Sequence, residues 1–148
     1  MRLLVFNLDE CRYGLPLETV ERVVRIVEIT ALPKAPEIVL GVIDFQGRIV
    51  PVVNLRARFK LPHRAPSLSD QLVIGRTPAR AVALVADSVE GVVECPQREV
   101  LEAKAVLPGT EYLAGVAKLG DGLVLIHDLA LFLSLDEERH LAAAMANG

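Results

Sequence analysis

Cysteine and histidine are scarce in this chain, and those present lack ligand spacing. Cys11 and Cys95 are the only cysteines, far apart and with no CxxC, so reduced thiols are expected rather than a metal knuckle or a redox pair. The three histidines, His63, His127 and His140, fall in a linker, an apolar strand and the terminal segment, with no HExxH and no carboxylate pair at ligand spacing. The Gly-x-Ser-x-Gly, P-loop and Rossmann patterns are missing as well, so no catalytic residue, metal site or cofactor is expected and the chain reads as a non-enzyme. No apolar run approaches the ~20 residues that span a bilayer, and Arg2–Phe6 is too short for a signal peptide, so a cytoplasmic location without membrane insertion is expected. Basic excess is also lacking. A net charge of −3 with dispersed arginines argues against nucleic acid as a partner. The one basic cluster, Arg56, Arg58, Lys60 and Arg64, reads as a solvated linker face.

What the chain does have is apolar substance, 52% of its 148 residues, enough for one core or two small ones. Its best-defined stretch is Gly41–Leu55. Two β-branched runs there flank Asp44-Phe45-Gln46-Gly47-Arg48, where Gly47 supplies the positive φ of a tight hairpin turn. The second arm, Ile49–Val53, is apolar throughout, which predicts burial on both faces. Pro51 removes a ladder donor, which predicts an edge or a bulge. Asn54 predicts a helix cap ahead of a single turn at 56–59.

This pattern returns. Gly115–Leu129 repeats Gly41–Leu55 without a gap, with Gly115 and Gly122 as the structural glycines of a second hairpin. Tyr13–Arg25 likewise lies over Val82–Glu94, with Glu18/Asp87 and Thr19/Ser88 as conservative pairs. The two alignments predict two similar half-units, each with a strand, a connector, a strand, a hairpin and a short helix. The expected division places a first barrel at about 12–61 and a second at 71–133, with the pairing of strand 1–11 left open. The polar, proline-containing stretch 61–70 reads as the joint between them, and 134–148 as a C-terminal helix or tail.

Along the chain, 3–8 and 12–17 predict an opening pair of strands, and Glu18-Thr19 a brief turn. Val20–Ile29 fits both helical and alternating templates, and its β-branched content decides for strand. Residues 37–40 predict one helical turn. Residues 71–74, 81–86, 89–94 and 96–101 predict strands, 107–109 a turn before 111–114, and 129–133 a short helix. Ser134 followed by Asp136, Glu137 and Glu138 marks the start of a terminal helix running to about Ala146. His127 is expected on the solvent face of its strand or bonded to backbone.

Phe6-Asn7-Leu8, Tyr13-Gly14-Leu15, Val20-x-x-Val23 and Gly41-Val42-Ile43 lead into Gly47-x-Ile49-Val50-Pro51-Val52-Val53-Asn54-Leu55. Together with Asp87-Ser88-Val89, Thr110–Leu113, Gly115 and Asp128-Leu129, they resemble the CheW family of bacterial chemotaxis coupling proteins. The likeness covers nearly the whole chain. It implies a mainly β fold of two SH3-like five-stranded barrels in one CheW-like domain. It also implies a scaffold joining the cytoplasmic tip of chemoreceptors to the regulatory domain of a CheA-type histidine kinase. Carried over by motif, Val20, Gln46 and Val89 become receptor-facing candidates. The family pattern has Arg at the position of Gln46, and glutamine lacks both its charge and its fork of donors. Two other functions stay open: an adaptor of a parallel pathway governing pili, surface sensing or biofilm, and a small β-barrel that binds a ligand or peptide without a kinase.

Overall fold

The computed structural model describes residues 1–102, 113–120 and 122–147. Eleven strands form two sheets: β1 (Arg2–Leu8), β2 (Cys11–Pro16), β3 (Val20–Arg25), β4 (Val39–Phe45), β5 (Arg48–Val53), β6 (Gln71–Arg76), β7 (Ala81–Ala86), β8 (Ser88–Glu94), β9 (Val100–Glu102), β10 (Leu113–Leu119) and β11 (Gly122–His127). The first sheet has the order β8-β1-β2-β11-β10-β9 and the second β3-β6-β7-β5-β4. The expected turn at 107–109, the strand residues 111–112 and part of the motif at 110–113 lie outside the described residues, as does Asp121 in the second hairpin.

The sheet orders correct the expected division of the chain. Strands β1 and β2 sit in the middle of the first sheet among β8, β10 and β11, whereas β6 and β7 sit in the middle of the second among β3, β4 and β5. Each half therefore lends its first two strands to the other half's barrel, and neither 12–61 nor 71–133 is a barrel. Replacing β1, β2, β3, β4 and β5 by β6, β7, β8, β10 and β11 converts one sheet order into the other. The duplication is real, and its halves are interlocked. β7 and β8 are separated by Asp87 alone, too little chain to reverse into a hairpin, so β8 leaves the sheet; at the equivalent place β2 and β3 are joined by the 3-10 turn at Leu17–Thr19, after which β3 leaves its sheet in the same way.

The two ends of each sheet approach one another through continuous chain. After β3, Thr30 exchanges backbone hydrogen bonds with Val42 of β4 (2.9 and 2.8 Å), and after β8 the short β9 pairs with β10 in the equivalent place. These contacts curl both sheets toward the expected SH3-like barrels. A Cβ on Gly41 would lie 2.3 Å from the Thr30 carbonyl oxygen, and one on Gly115 3.0 Å from that of Leu101, so both glycines let two backbones meet.

Strand alternation sorts the apolar residues into three cores. Leu3 and Val5 point into the first barrel with Ala117, Val124 and Ile126. Leu72, Ile74 and Ala83 point into the second with Ile43, Val50 and Val52. The opposite faces of the same strands, Leu4, Phe6, Tyr13, Val53, Val73, Val82 and Leu84, meet between the barrels with Leu129, Phe132 and Leu141. Two buried faces explain why these strands read as continuous apolar runs. Burial of Val50–Val53 agrees with the expectation for that arm, whereas Ile49 at its start is 56% exposed. Pro51 does not mark an edge, since β5 lies between β7 and β4. It is tolerated because Val42–Pro51 is a non-hydrogen-bonded pair of the hairpin and the β7 ladder starts only at Val52.

Several local expectations change. Residues 37–38 form a turn rather than a helical one, and 97–99 is a 3-10 turn ahead of a shorter β9. Asn54 caps α1 (Leu55–Arg58), accepting from the Ala57 amide at 3.1 Å. Ser134 accepts from the Glu137 amide, and that side chain returns a bond to the Ser134 amide at 2.8 Å, a capping box that starts α2 (Leu135–Asn147). This helix docks through Leu141 and Ala144 and through the Arg58–Glu137 and Arg80–Glu138 ion pairs.

Candidate functional site

The three candidates occupy related places. Val20 opens β3, an edge strand of the second sheet, and Val89 lies in β8, an edge strand of the first. Both are half-buried against the core between the barrels, and the repeat makes them equivalent positions. The Val89 amide donates to Gln71 Oε1 of the opposite sheet at 2.9 Å, which holds this edge against the second barrel.

Gln46 is exposed at the tip of the β4–β5 hairpin. Gln46 (φ 53°) and Gly47 (φ 80°) form a two-residue turn with both residues left-handed, as a type I′ hairpin requires. Asp44 Oδ1 accepts from the Gly47 amide at 3.0 Å and locks the turn. Arg48 leaves the tip sideways. Its guanidinium lies 5.6 Å from the centre of the Phe45 ring and bonds Glu21 of β3 at 2.8 Å, while Arg76 stands 3.9 Å from the same carboxylate. The hydrogen bond from Arg48 holds the Glu21 carboxyl below its usual range. This bridge ties the hairpin to the residue next to Val20, so Val20 and Gln46 share one end of the second barrel. Val89 stands on the other sheet's edge.

The basic cluster is not a solvated face. Arg56 is buried and bonds Asp9 and Asp87, each at 2.8 Å, and the Pro62 carbonyl at 3.2 Å. Arg64 bonds Asp70 at 2.8 Å and also reaches Asp87, which in addition accepts from the Asp9 amide at 2.7 Å. Burial pushes the Asp87 carboxyl up, but hydrogen bonds from Arg56, Asp9 and Arg64 outweigh it and hold the group below the usual range. These residues knot together the β1–β2 turn, α1, the joint and the β7–β8 crossover. Sequence reasoning missed this knot, although Asp87 stood out in the repeat and in the family motif. His127 does not lie on a solvent face: it is buried, stacked on Phe59 with 4.6 Å between ring centres, and the Tyr13 and Phe132 rings are tilted against it.

Among the described residues, no group of three or more His, Cys, Asp or Glu is placed to hold a metal ion, and no helix is long and apolar enough to cross a membrane. The three candidates thus comprise two half-buried apolar edge positions and one exposed polar hairpin tip. A family model described as the CheW-like domain matches residues 2–137.

The chain belongs to the CheW-like family.

Among curated relatives, the chemotaxis protein CheW of Klebsiella aerogenes is 27% identical over 136 residues, spanning 90% of this chain and 82% of that protein. The FrzA protein of Myxococcus xanthus is 28% identical over 142 residues, spanning 94% and 88%. The crystal structure of the scaffolding protein TtCheW from Thermoanaerobacter tengcongensis superposes with a TM-score of 0.84 at 29% identity, covering 92% of this chain and 94% of that one. The CheW-like architecture is thus shared over both barrels.

Proposed function

We propose that this CheW-like protein is a non-enzymatic adaptor of a bacterial chemosensory array, coupling the cytoplasmic tip of chemoreceptors to the regulatory domain of a CheA-type histidine kinase in the cytoplasm. The observation that carries this reading is the match of the interlocked two-barrel unit, residues 2–137, to the CheW-like family. Receptors dock on the end of the second barrel, where the Gln46 tip and the Val20 edge are joined by the Arg48–Glu21 bridge, and Val89 contributes from the equivalent edge. The kinase domain, itself barrel-shaped, engages open strand edges through apolar burial. Gln46 supports a second reading within the same class, an adaptor for receptors of a parallel pathway that present no carboxylate to this tip.

Capture from the native lysate by the immobilised chain, followed by Gln46→Arg, tests both readings. A CheA-type kinase and a receptor are expected among the retained proteins. Gln46→Arg should alter receptor retention while leaving kinase retention intact and stability changed by less than ~0.5 kcal/mol, as for an exposed turn. Strengthened receptor binding indicates a waiting carboxylate, and weakened binding indicates a partner adapted to an amide. Capture of neither partner, or receptor retention indifferent to residue 46, overturns the assignment.

A further inference from the structure

The interlocked sheets have one open joint. Residues 1–60 supply β1 and β2 to the first sheet and β3, β4 and β5 to the second, and residues 71–147 supply β6 and β7 to the second and the remaining strands to the first. Neither half owns a complete sheet, and the strands that cross over are central ones. The halves are joined covalently through 61–70, which contributes to no ladder and leaves Leu68 95% exposed. Its conformation is held by Arg64 bonding Asp70 and Asp87, by the Ser67 amide bonding Asp70 at 2.8 Å, and by Arg56 bonding the Pro62 carbonyl.

We propose that a second copy of this chain can take the place of either half: the joint opens, and the first half of one copy pairs with the second half of the other. The product is an intertwined dimer containing two complete two-barrel units. Every ladder, all three cores and the Arg56–Asp87 bond are kept, because the surface a half-chain needs is the one its own complement carries. Only the path of 61–70 and its local bonds differ between the closed monomer and the exchanged dimer. A joint of this length holds the second half at an effective concentration in the millimolar range, so the monomer dominates in dilute protein and exchange grows as concentration approaches about 1 mM. Exchange demands that both sheets come apart, so the two forms interconvert slowly. A joint too short to span one molecule removes the monomer altogether. The dimer presents the Val20, Gln46 and Val89 surfaces twice, which makes it bivalent; that consequence rests on the adaptor reading, and the exchange itself does not.

The experiment refolds two differently tagged full-length chains together from denaturant, one set dilute and one at about 1 mM, each with a specific protease site between Pro66 and Ser67. Dilute refolding should give a monomer of about the 16.1 kDa chain mass, and concentrated refolding a second species of doubled mass that carries both tags and persists on dilution. Cutting the joint should halve the mass of that species while its two fragments stay associated. A dimer formed by surface contact keeps its doubled mass after the cut and overturns the proposal. So does a cut monomer that separates into halves, or the absence of any doubled species.

Discussion

Replacing Arg64 by alanine removes one guanidinium that serves two carboxylates, and the two have different alternatives. Asp87 keeps Arg56 and the Asp9 amide. Asp70 is 2% exposed and, among the described residues, keeps only the Ser67 amide, so a buried charge is left without a cation. Stripping one partner from a buried pair costs about 3–5 kcal/mol. Arg64 itself is 36% exposed, so water reaches the vacated position and the lower end, about 3 kcal/mol, applies. Adding Asp70→Asn removes the stranded charge while retaining an acceptor for the Ser67 amide, so the double variant should be more stable than Arg64→Ala alone. Urea unfolding followed by circular dichroism reads the effect. With a slope of about 2 kcal/mol per M, the loss moves the midpoint down by about 1.5 M. The transition should stay single, because each barrel contains strands from both halves and neither can melt alone. A midpoint within about 0.3 M of the parent, or a double variant less stable than the single one, refutes the reasoning.

Other perturbations separate neighbouring causes. Gly41→Ala places a Cβ 2.3 Å from the Thr30 carbonyl oxygen and should cost several kcal/mol or break the Thr30–Val42 bridge. Gly47→Ala meets nothing within 4 Å and should cost only about 1 kcal/mol for its left-handed backbone; equal midpoint shifts in urea contradict this. The Asp87 carboxyl is lower in the folded protein than its ordinary value of 3.8, so the unfolded chain takes up the proton first as pH falls. The stability gap between the parent and Asp87→Asn, about 2 kcal/mol, should be constant above pH ~5 and close below ~4; a gap that widens on acidification has the wrong sign.

How far the fold was legible depends on whether its determinants are local. The hairpin at Gly41–Val53, the Asn54 and Ser134 caps and the duplication are written in short stretches, and each appears where those residues put it. The exchange of strands is not local, because closed and exchanged halves have the same apolar alternation and differ only in where a strand goes next. One signal was available: Asp87 is too short a link to reverse the chain between two strands. The ion-pair knot was hidden because Arg56 and Arg64 are neighbours in sequence, whereas their partners Asp9 and Asp87 come from distant turns. The burial of His127, against the solvent-face alternative, was hidden for the same reason, since it is made by Tyr13, Phe59 and Phe132 from three other segments. Of the candidate site, the Gln46 tip was readable as a turn, but the Arg48–Glu21 bridge that connects it to β3 required the curled sheet.

The repeat also brings out how the two hairpin tips differ. Val20 and Val89 are equivalent, and so are the two hairpins, yet Asp44-Phe45-Gln46-Gly47-Arg48 of the first stands where the second has Lys118-Leu119-Gly120-Asp121-Gly122. In the first hairpin Asp44 is committed to the Gly47 amide and Arg48 to Glu21 and the Phe45 ring, so the turn is rigid. Among the described residues no hydrogen bond holds the Gln46 side chain, which leaves its amide for a partner. The equivalent position in the second hairpin is Gly120, which has no side chain to present. On the adaptor reading proposed above, the duplicated scaffold offers a barrel-shaped partner two similar apolar edges, and the Gln46 side chain marks one of them. Discrimination between partners needs such a difference, because identical ends would accept the same partner twice.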